Sequence, residues 1–407
     1  MRIAYIGLRD LVGHKFNGMD LCREMRSRGV DARFYVLFKQ STEDWVEPIC
    51  GPIGLFIVKV LHRIEYYTGL QNILSPVLFF LLSFKHIREC DIIHFQMVQS
   101  SYFSLGMIRY FSKCKTVFWT LHDPWPLTGH CVHPVTSKCD RWTVGCGHCP
   151  NLKATFPVPF DATALMHRIK RSSFNGIDIN LVVASDFMAD LVAQSAMFKR
   201  ATVEKIPFGI DDSVFLRKDK VQIRSRLGIP LEDIVIFFRA ASSEFKGIDC
   251  IRAALERLDS NRKTLLTVNE TGLLAELKDK YRILEYGWVE DDELLSDLYS
   301  ASDIFLMPSR AESFGMMAIE AMACQVPVIA FDNTALTETV NYGSAGVLVE
   351  DGNAIGLSRE IERLSSNFSV REELALKGFR HVMANYTIAN YFERSFRSYR
   401  DAQNSDV

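Results

Sequence analysis

The chain has 407 residues, 48% of them hydrophobic and 24% charged, with 47 Lys and Arg against 49 Asp and Glu. That composition excludes a disordered chain, a collagen and a disulfide mini-protein, and the length is that of two domains. A formal charge of −2 argues against a dedicated nucleic-acid binder, which carries a basic excess.

The chain opens on the strand-like Met-Arg-Ile-Ala-Tyr-Ile-Gly with no charged-then-apolar leader, so the expected location is cytoplasmic. Short apolar runs at 3–6, 33–37, 91–95, 116–120 and 180–183 read as buried parallel strands. Helix-period segments such as 19–27 and 186–193 lie between them. The greasy stretch 53–84 carries Lys59, His62, Arg63, Lys85 and Arg88, and a basic cluster follows at 166–171. Its longest apolar run, 77–84, is far short of the roughly 20 residues that span a bilayer. The stretch reads either as core helices with solvated ends or as a peripheral membrane face for a lipid-linked acceptor.

After 206–212, where Pro207 and Gly209 interrupt the periodicity, the pattern restarts. Strands are expected at 234–238, 264–268, 303–307, 326–330 and 346–348, with helices from Gly247, Asp291, Met316 and Ile355. The fold class is therefore α/β, with two doubly wound Rossmann-like domains. The first covers 1–205, with a Cys-rich insertion at 124–150, and the second 206–385. The tail 386–407 is aromatic and helical in period and is expected to pack back on the first domain.

Several motifs carry chemistry. Gly13-His-Lys-Phe-Asn-Gly18 has the glycine spacing of a phosphate-binding loop, but Met19-Asp20 stand where Lys and Ser/Thr would clamp phosphate and magnesium. That excludes a kinase or ATPase and leaves either a flexible loop at a helix N-terminus or a plain turn. The strongest signal is Glu312-Ser-Phe-Gly-Met-Met-Ala-Ile-Glu320, which follows a strand and opens a helix. Gly315 lets backbone approach a ligand, and the helix start suits a phosphate or sugar hydroxyls. The bland alternative makes Glu312 an electrostatic cap and puts Glu320 on a solvated face. Four cysteines, Cys131, Cys139, Cys146 and Cys149, lie in C-x7-C-x6-C-x2-C spacing, with His130, His133 and His148 interleaved. They read as a structural zinc site or as a reduced or bridged cysteine loop.

The ordered blocks Gly287-Trp-Val-Glu-Asp-Asp-Glu, Ser302-Asp-Ile-Phe-Leu-Met-Pro-Ser309, the two-glutamate motif, Thr334-Ala-Leu-Thr-Glu338 and Gly346-Val-Leu-Val349 resemble the retaining family 4 glycosyltransferases. Ile206-Pro-Phe-Gly-Ile-Asp211 resembles that family's interdomain linker, and Trp125-Pro-Leu-Thr-Gly-His-Cys131 with Gly145-Cys-Gly-His-Cys-Pro150 a bacterial surface-polysaccharide subset. The resemblance implies the glycosyltransferase-B fold, with two domains facing a central cleft. It implies transfer of a sugar, with retention, from a nucleotide-diphosphate sugar (UDP- ahead of GDP-) to a growing, lipid-linked glycan of an O-antigen, capsule or exopolysaccharide, at the inner face of the cytoplasmic membrane.

Carried onto this sequence, Lys246, in Lys246-Gly247, and Arg239 are the diphosphate ligands, although Arg239 is spaced further from Lys246 than in the family. Glu320 takes the ribose hydroxyls. Glu312 contacts the donor sugar beside the Phe314, Gly315, Met316 and Met317 amides. His122, in Thr120-Leu-His-Asp123, stands close to the transferred sugar, whereas His94 reads as structural. Gln325 departs from the family's usual glycine. No Asp-x-Asp pair occurs, so no metal cofactor is expected in catalysis. A nucleotide-sugar epimerase without NAD shares the architecture but not the Glu312–Glu320 block. A zinc-organised binding module would need a basic excess near its cysteines, where 131–150 holds only Lys138 and Arg141. A catalytically silent scaffold is disfavoured by the intact donor motif.

Overall fold

Thirteen short strands, nearly all apolar where they are central, pair into two wholly parallel sheets in the computed structural model, which describes residues 1–98, 102–135, 137–154 and 156–405. The chain divides into two units: Met1–Pro207 with Tyr391–Val407, and Phe208–Asn390.

In the first unit the strands are β1 (Arg2–Arg9), β2 (Asp31–Phe38), β3 (Val46–Pro48), β4 (Ile92–Phe95), β5 (Thr116–Leu121), β6 (Asn180–Val183) and β7 (Thr202–Lys205). Their order is β3-β2-β1-β4-β5-β6-β7, so the direction of winding reverses between β1 and β4. The central strands are buried on both faces, as parallel sheets covered by helices require, while β7 at the edge is exposed throughout. The last helix, Ile388–Ser405, returns to this unit and buries Tyr391, Phe392 and Tyr399 in it. Arg28, which follows the helix Met19–Ser27, pairs with its Glu393 at 2.9 Å. Residues 406 and 407 of the tail lie outside the described residues.

The second unit holds β8 (Ile234–Ala240), β9 (Lys263–Asn269), β10 (Arg282–Glu285), β11 (Ile304–Met307), β12 (Val328–Phe331) and β13 (Val347–Val349). Their order, β10-β9-β8-β11-β12-β13, is the 3-2-1-4-5-6 order of a dinucleotide-binding Rossmann sheet, with the reversal between β8 and β11. In such sheets ligands bind outside the carboxyl ends of the strands at the reversal. The loops after β8 and β11 are therefore where a ligand belongs. Among the described residues no helix is long and apolar enough to cross a membrane.

The reading of 53–84 as core helices does not hold for its first helix, Pro52–Thr68. Ile53, Phe56, Ile57, Val60, Ile64 and Tyr67 are exposed, and Val58 and Glu65 are the side chains it buries.

Candidate active site

In the second unit β8 ends at Ala240, and a single 3-10 turn, Glu244–Lys246, leads through Gly247 into the helix Ile248–Arg257. Gly247 has φ +69°, and a Cβ there would stand 2.0 Å from the Pro308 carbonyl oxygen. Only glycine lets the two loops touch at this point. The contact is reinforced from the other side. Arg310 grips Asp249 through two bonds of 2.9 and 2.6 Å, and its Nη1 and main-chain amide donate to the Glu244 and Phe245 carbonyls. The loops after β8 and β11 are thus clamped together before any ligand arrives. Fork-to-fork Arg–carboxylate geometry makes the clamp directional.

Within that clamp the Lys246 ammonium donates to Glu312 Oε1 at 2.5 Å, both side chains being mostly buried. Two residues 66 positions apart, marked in the sequence for one ligand, stand at one point. The Glu312 main-chain amide donates to Thr334 Oγ1 at 3.2 Å, which fixes the start of the loop. Gly315 caps the helix Met316–Ala323 in the left-handed region at φ +103°, where a Cβ would meet Leu336 at 2.9 Å. Met316 and Met317 occupy the first turn, half-buried, where amides have no partner within the helix. Phe314 is buried between the Phe208 and Tyr386 rings at 5.4 and 5.5 Å, and its carbonyl accepts the Thr339 hydroxyl.

Glu320 is not on a solvated face. It is 2% exposed, and the buried Tyr299 hydroxyl donates to its Oε2 at 2.9 Å. Arg239 is not drawn to Lys246: its guanidinium donates to Asn269 Oδ1 at 3.0 Å, at the end of β9.

In the first unit His122 follows β5 directly. Its Nε2 meets Gln96 Oε1 at 3.0 Å, and the Phe16 ring lies 5.9 Å away. Because an amide oxygen only accepts, Nε2 carries the hydrogen. Burial holds the imidazole down at about 3, so it is neutral near pH 7. His94 is wholly structural: Nδ1 meets the Tyr399 hydroxyl at 2.6 Å, and Nε2 meets Thr120 Oγ1 and Gln96 Nε2 at 2.8 and 3.1 Å. The 13–18 loop is a tied turn and not a flexible one. Asn17, buried, donates to the Arg9, Asp10 and Val12 carbonyls and accepts from the Met19 amide.

The cysteine insertion joins the core of this unit through Trp125, Leu127, Val132 and Trp142. Buried Lys170 donates to the Trp125 and Thr128 carbonyls at 2.7 and 2.9 Å and lies 3.2 Å from the centroid of the Trp125 ring. Among the described residues no three His, Cys, Asp or Glu groups stand together as a metal ion requires. Burial pushes the Cys131 thiol up to about 12 and raises Cys146 and Cys149, which keeps these groups protonated, and Cys146 Sγ accepts the Gly129 amide at 3.2 Å.

The residues that sequence reasoning passed over are Arg310, Asp249, Tyr299, Asn269 and Gln96. Arg310 offered a signal, being a lone cation inside the loop two residues before Glu312. The others offered none, since each acts through a partner far along the chain.

Residues 219–381 match the family described as glycosyl transferases group 1. The D-inositol 3-phosphate glycosyltransferase of Nocardiopsis dassonvillei is 31% identical over 44% of this chain and 46% of its own length, so the chain spans about half of that relative. Its namesake from Corynebacterium diphtheriae is 24% identical over 100% of this chain and 96% of the relative. A putative colanic acid biosynthesis glycosyl transferase, WcaC of Escherichia coli, is 24% identical over 64% of each. Among solved structures, sucrose-phosphate synthase from Thermosynechococcus elongatus superposes with a TM-score of 0.70 at 18% identity, covering 100% of both chains. Anabaena HepE in complex with UDP-glucose gives 0.68 at 17%, covering 98% of this chain and 100% of that one. Residues 219–381 thus resemble the group 1 glycosyl transferases, and the two parallel sheets have the glycosyltransferase-B fold of the structures on which the chain superposes.

Proposed function

We propose that the protein transfers a sugar, with retention at the anomeric carbon, from a nucleotide-diphosphate sugar to a growing bacterial surface glycan. The observation that carries this reading is the Lys246–Glu312 pair, held at the carboxyl ends of β8 and β11 where the sheet order reverses, beside the helix start at Gly315. A cation and the amides of a helix start suit a diphosphate whose charge grows as the bond to the sugar breaks. A carboxylate beside them suits sugar hydroxyls. With no donor bound, Lys246 and Glu312 neutralise each other. An incoming diphosphate takes over the ammonium and releases Glu312 to the sugar.

Glu320, its carboxylate set by Tyr299, is assigned to the ribose, and the Phe314, Gly315, Met316 and Met317 backbone to the donor's phosphate and sugar. Arg239 is the weaker diphosphate ligand, since it is engaged with Asn269. His122, neutral and hydrogen-bonded to Gln96, serves as a hydrogen-bond partner for the transferred sugar and not as a source of positive charge. The acceptor hydroxyl attacks on the face of the leaving group, and no protein nucleophile is required.

A UDP-sugar is favoured over a GDP-sugar because UDP-glucose is bound in the Anabaena relative of the same fold. An O-antigen, capsule or exopolysaccharide acceptor on a lipid carrier is favoured by the relative named for colanic acid, and it would put the enzyme in the cytoplasm at the inner face of the membrane. The test is incubation with UDP-, GDP- and dTDP-sugars plus a membrane-extracted lipid-linked glycan, reading nucleoside diphosphate release. Release from one UDP-sugar that rises with acceptor supports the reading. Interconversion of UDP-sugars without acceptor would make the protein an epimerase, and no release from any donor would leave a scaffold.

A further inference from the structure

The helix Pro52–Thr68 is built inside out. At 100° per residue, Ile53, Phe56, Ile57, Val60, Ile64 and Tyr67 fall on one stripe about 100° wide, the pattern that normally faces a core. Here the stripe faces outward: Ile53 is 79% exposed, Phe56 67% and Tyr67 58%. The neighbouring short helix Val77–Leu81 presses the Phe80 ring to 3.1 Å from where a Cβ on Gly54 would stand, and its Phe79 is 74% exposed. Contiguous apolar exposure on this scale marks an interaction surface.

The rotation of this helix is enforced from below. Glu65, its one acidic residue, is buried and accepts the main-chain amides of Asn72, Ile73 and Leu74 at 3.2, 2.6 and 2.7 Å. Turning the apolar stripe inward would strip that carboxylate of three charge-assisted bonds. With Glu65 inside, the charged side chains left on the outer side are Lys59 and Arg63, both along one edge of the stripe and both exposed. The outer face is therefore apolar and cationic, with no acid of its own.

We infer that this face docks on the surface of an anionic lipid bilayer, the helix lying in the interface plane with its apolar stripe among the acyl chains and Lys59 and Arg63 at the headgroups. A partner that is apolar within and negative at its rim is what an apolar stripe edged by cations complements. The helix is about 25 Å long and does not cross the membrane. The inference goes beyond the proposed transfer reaction and does not depend on it, because docking is measured without donor or acceptor.

The experiment sediments the full chain with sucrose-loaded vesicles of phosphatidylcholine, with and without phosphatidylglycerol. Binding is expected with phosphatidylglycerol, weaker by about tenfold without it and reduced by added salt. Phe56→Ser with Ile57→Ser should cut binding by about tenfold or more at an unchanged melting temperature, because both side chains are already in solvent. Lys59→Ala with Arg63→Ala should abolish the preference for phosphatidylglycerol and leave residual apolar binding. The inference is overturned if the wild-type chain does not sediment with phosphatidylglycerol vesicles at low salt, or if the Phe56/Ile57 variant binds as well. A concentration-dependent dimer, lost in that variant while vesicle binding stays absent, would assign the face to a second copy instead.

Discussion

Changing Tyr399 to Phe removes one oxygen from a buried chain that runs from the last helix to His122. The Gln96 amide nitrogen can only donate, so His94 Nε2 accepts, and its hydrogen sits on Nδ1, directed at the Tyr399 oxygen 2.6 Å away. Tyr399 in turn shares a hydrogen with Tyr5 at 3.1 Å. The substitution therefore leaves two buried groups, the His94 N–H and the Tyr5 hydroxyl, short of a partner. At about 1–3 kcal/mol for each unmet buried group, a loss of about 2–6 kcal/mol follows. For a unit of this size that lowers the melting temperature by roughly 4–24 °C. His94 could escape by moving its hydrogen to Nε2, but Gln96 would then have to turn its amide nitrogen toward the Nε2–H of His122, donor against donor. Tyr5→Phe added to Tyr399→Phe should restore part of the loss, since one of the two stranded groups disappears. Thermal unfolding gives the energies, and long-range proton–nitrogen NMR of the histidine rings gives the tautomers. A Tyr399→Phe protein that melts within about 1 °C of wild type, with His94 still protonated at Nδ1, would refute the network as a source of stability.

Lys246→Ala should lower turnover by on the order of 10²-fold, as loss of one transition-state donor does, and unchanged nucleoside diphosphate release from a folded variant would remove Lys246 from the reaction. Gly247→Ala places a Cβ 2.0 Å from the Pro308 oxygen at a left-handed φ, so it should destabilise the second unit by at least about 1–2 kcal/mol and raise KM for donor; wild-type values of both would deny the contact. Acid should unfold the first unit early. Burial holds His94 and His122 at about 3 against an ordinary 6.5, so their stability contribution is complete above pH 6.5 and is lost as pH falls toward 3. At pH 5 each imidazole costs about 2 kcal/mol, and urea midpoints equal at pH 7.5 and 5 would contradict this.

The sheets were legible wherever a strand is central. Residues 3–6 and 234–238 are apolar without interruption because they are covered on both faces, and such a run has few other readings. The edge strands β3, β7 and β10 were not legible. Thr202–Lys205 is exposed at all four positions and pairs only through its backbone, which leaves no apolar trace. The helix Pro52–Thr68 misled for the opposite reason. Periodicity reports that an apolar stripe exists but not which way it faces, and the direction here is decided by Glu65, whose partners lie in the following loop.

The same distinction governs the site. Lys246, Glu312 and Gly315 could be read because each sits in a local string whose spacing carries the chemistry. What holds them could not be. Arg310 finds Asp249 across 61 residues, Tyr299 finds Glu320 across 21, and Tyr399 finds His94 across 305. None of these partners has a fixed offset, because each pair is made by strand order and not by helix or turn geometry. A parallel sheet brings the ends of distant segments side by side, so the groups that touch a ligand cluster in short motifs while those that orient them are scattered. A search for positioning residues in this fold should start at the first side chains beyond each strand's carboxyl end. Gln96 after β4, His122 after β5 and Asn269 at the end of β9 all lie there, and each ties together groups that the linear pattern keeps apart.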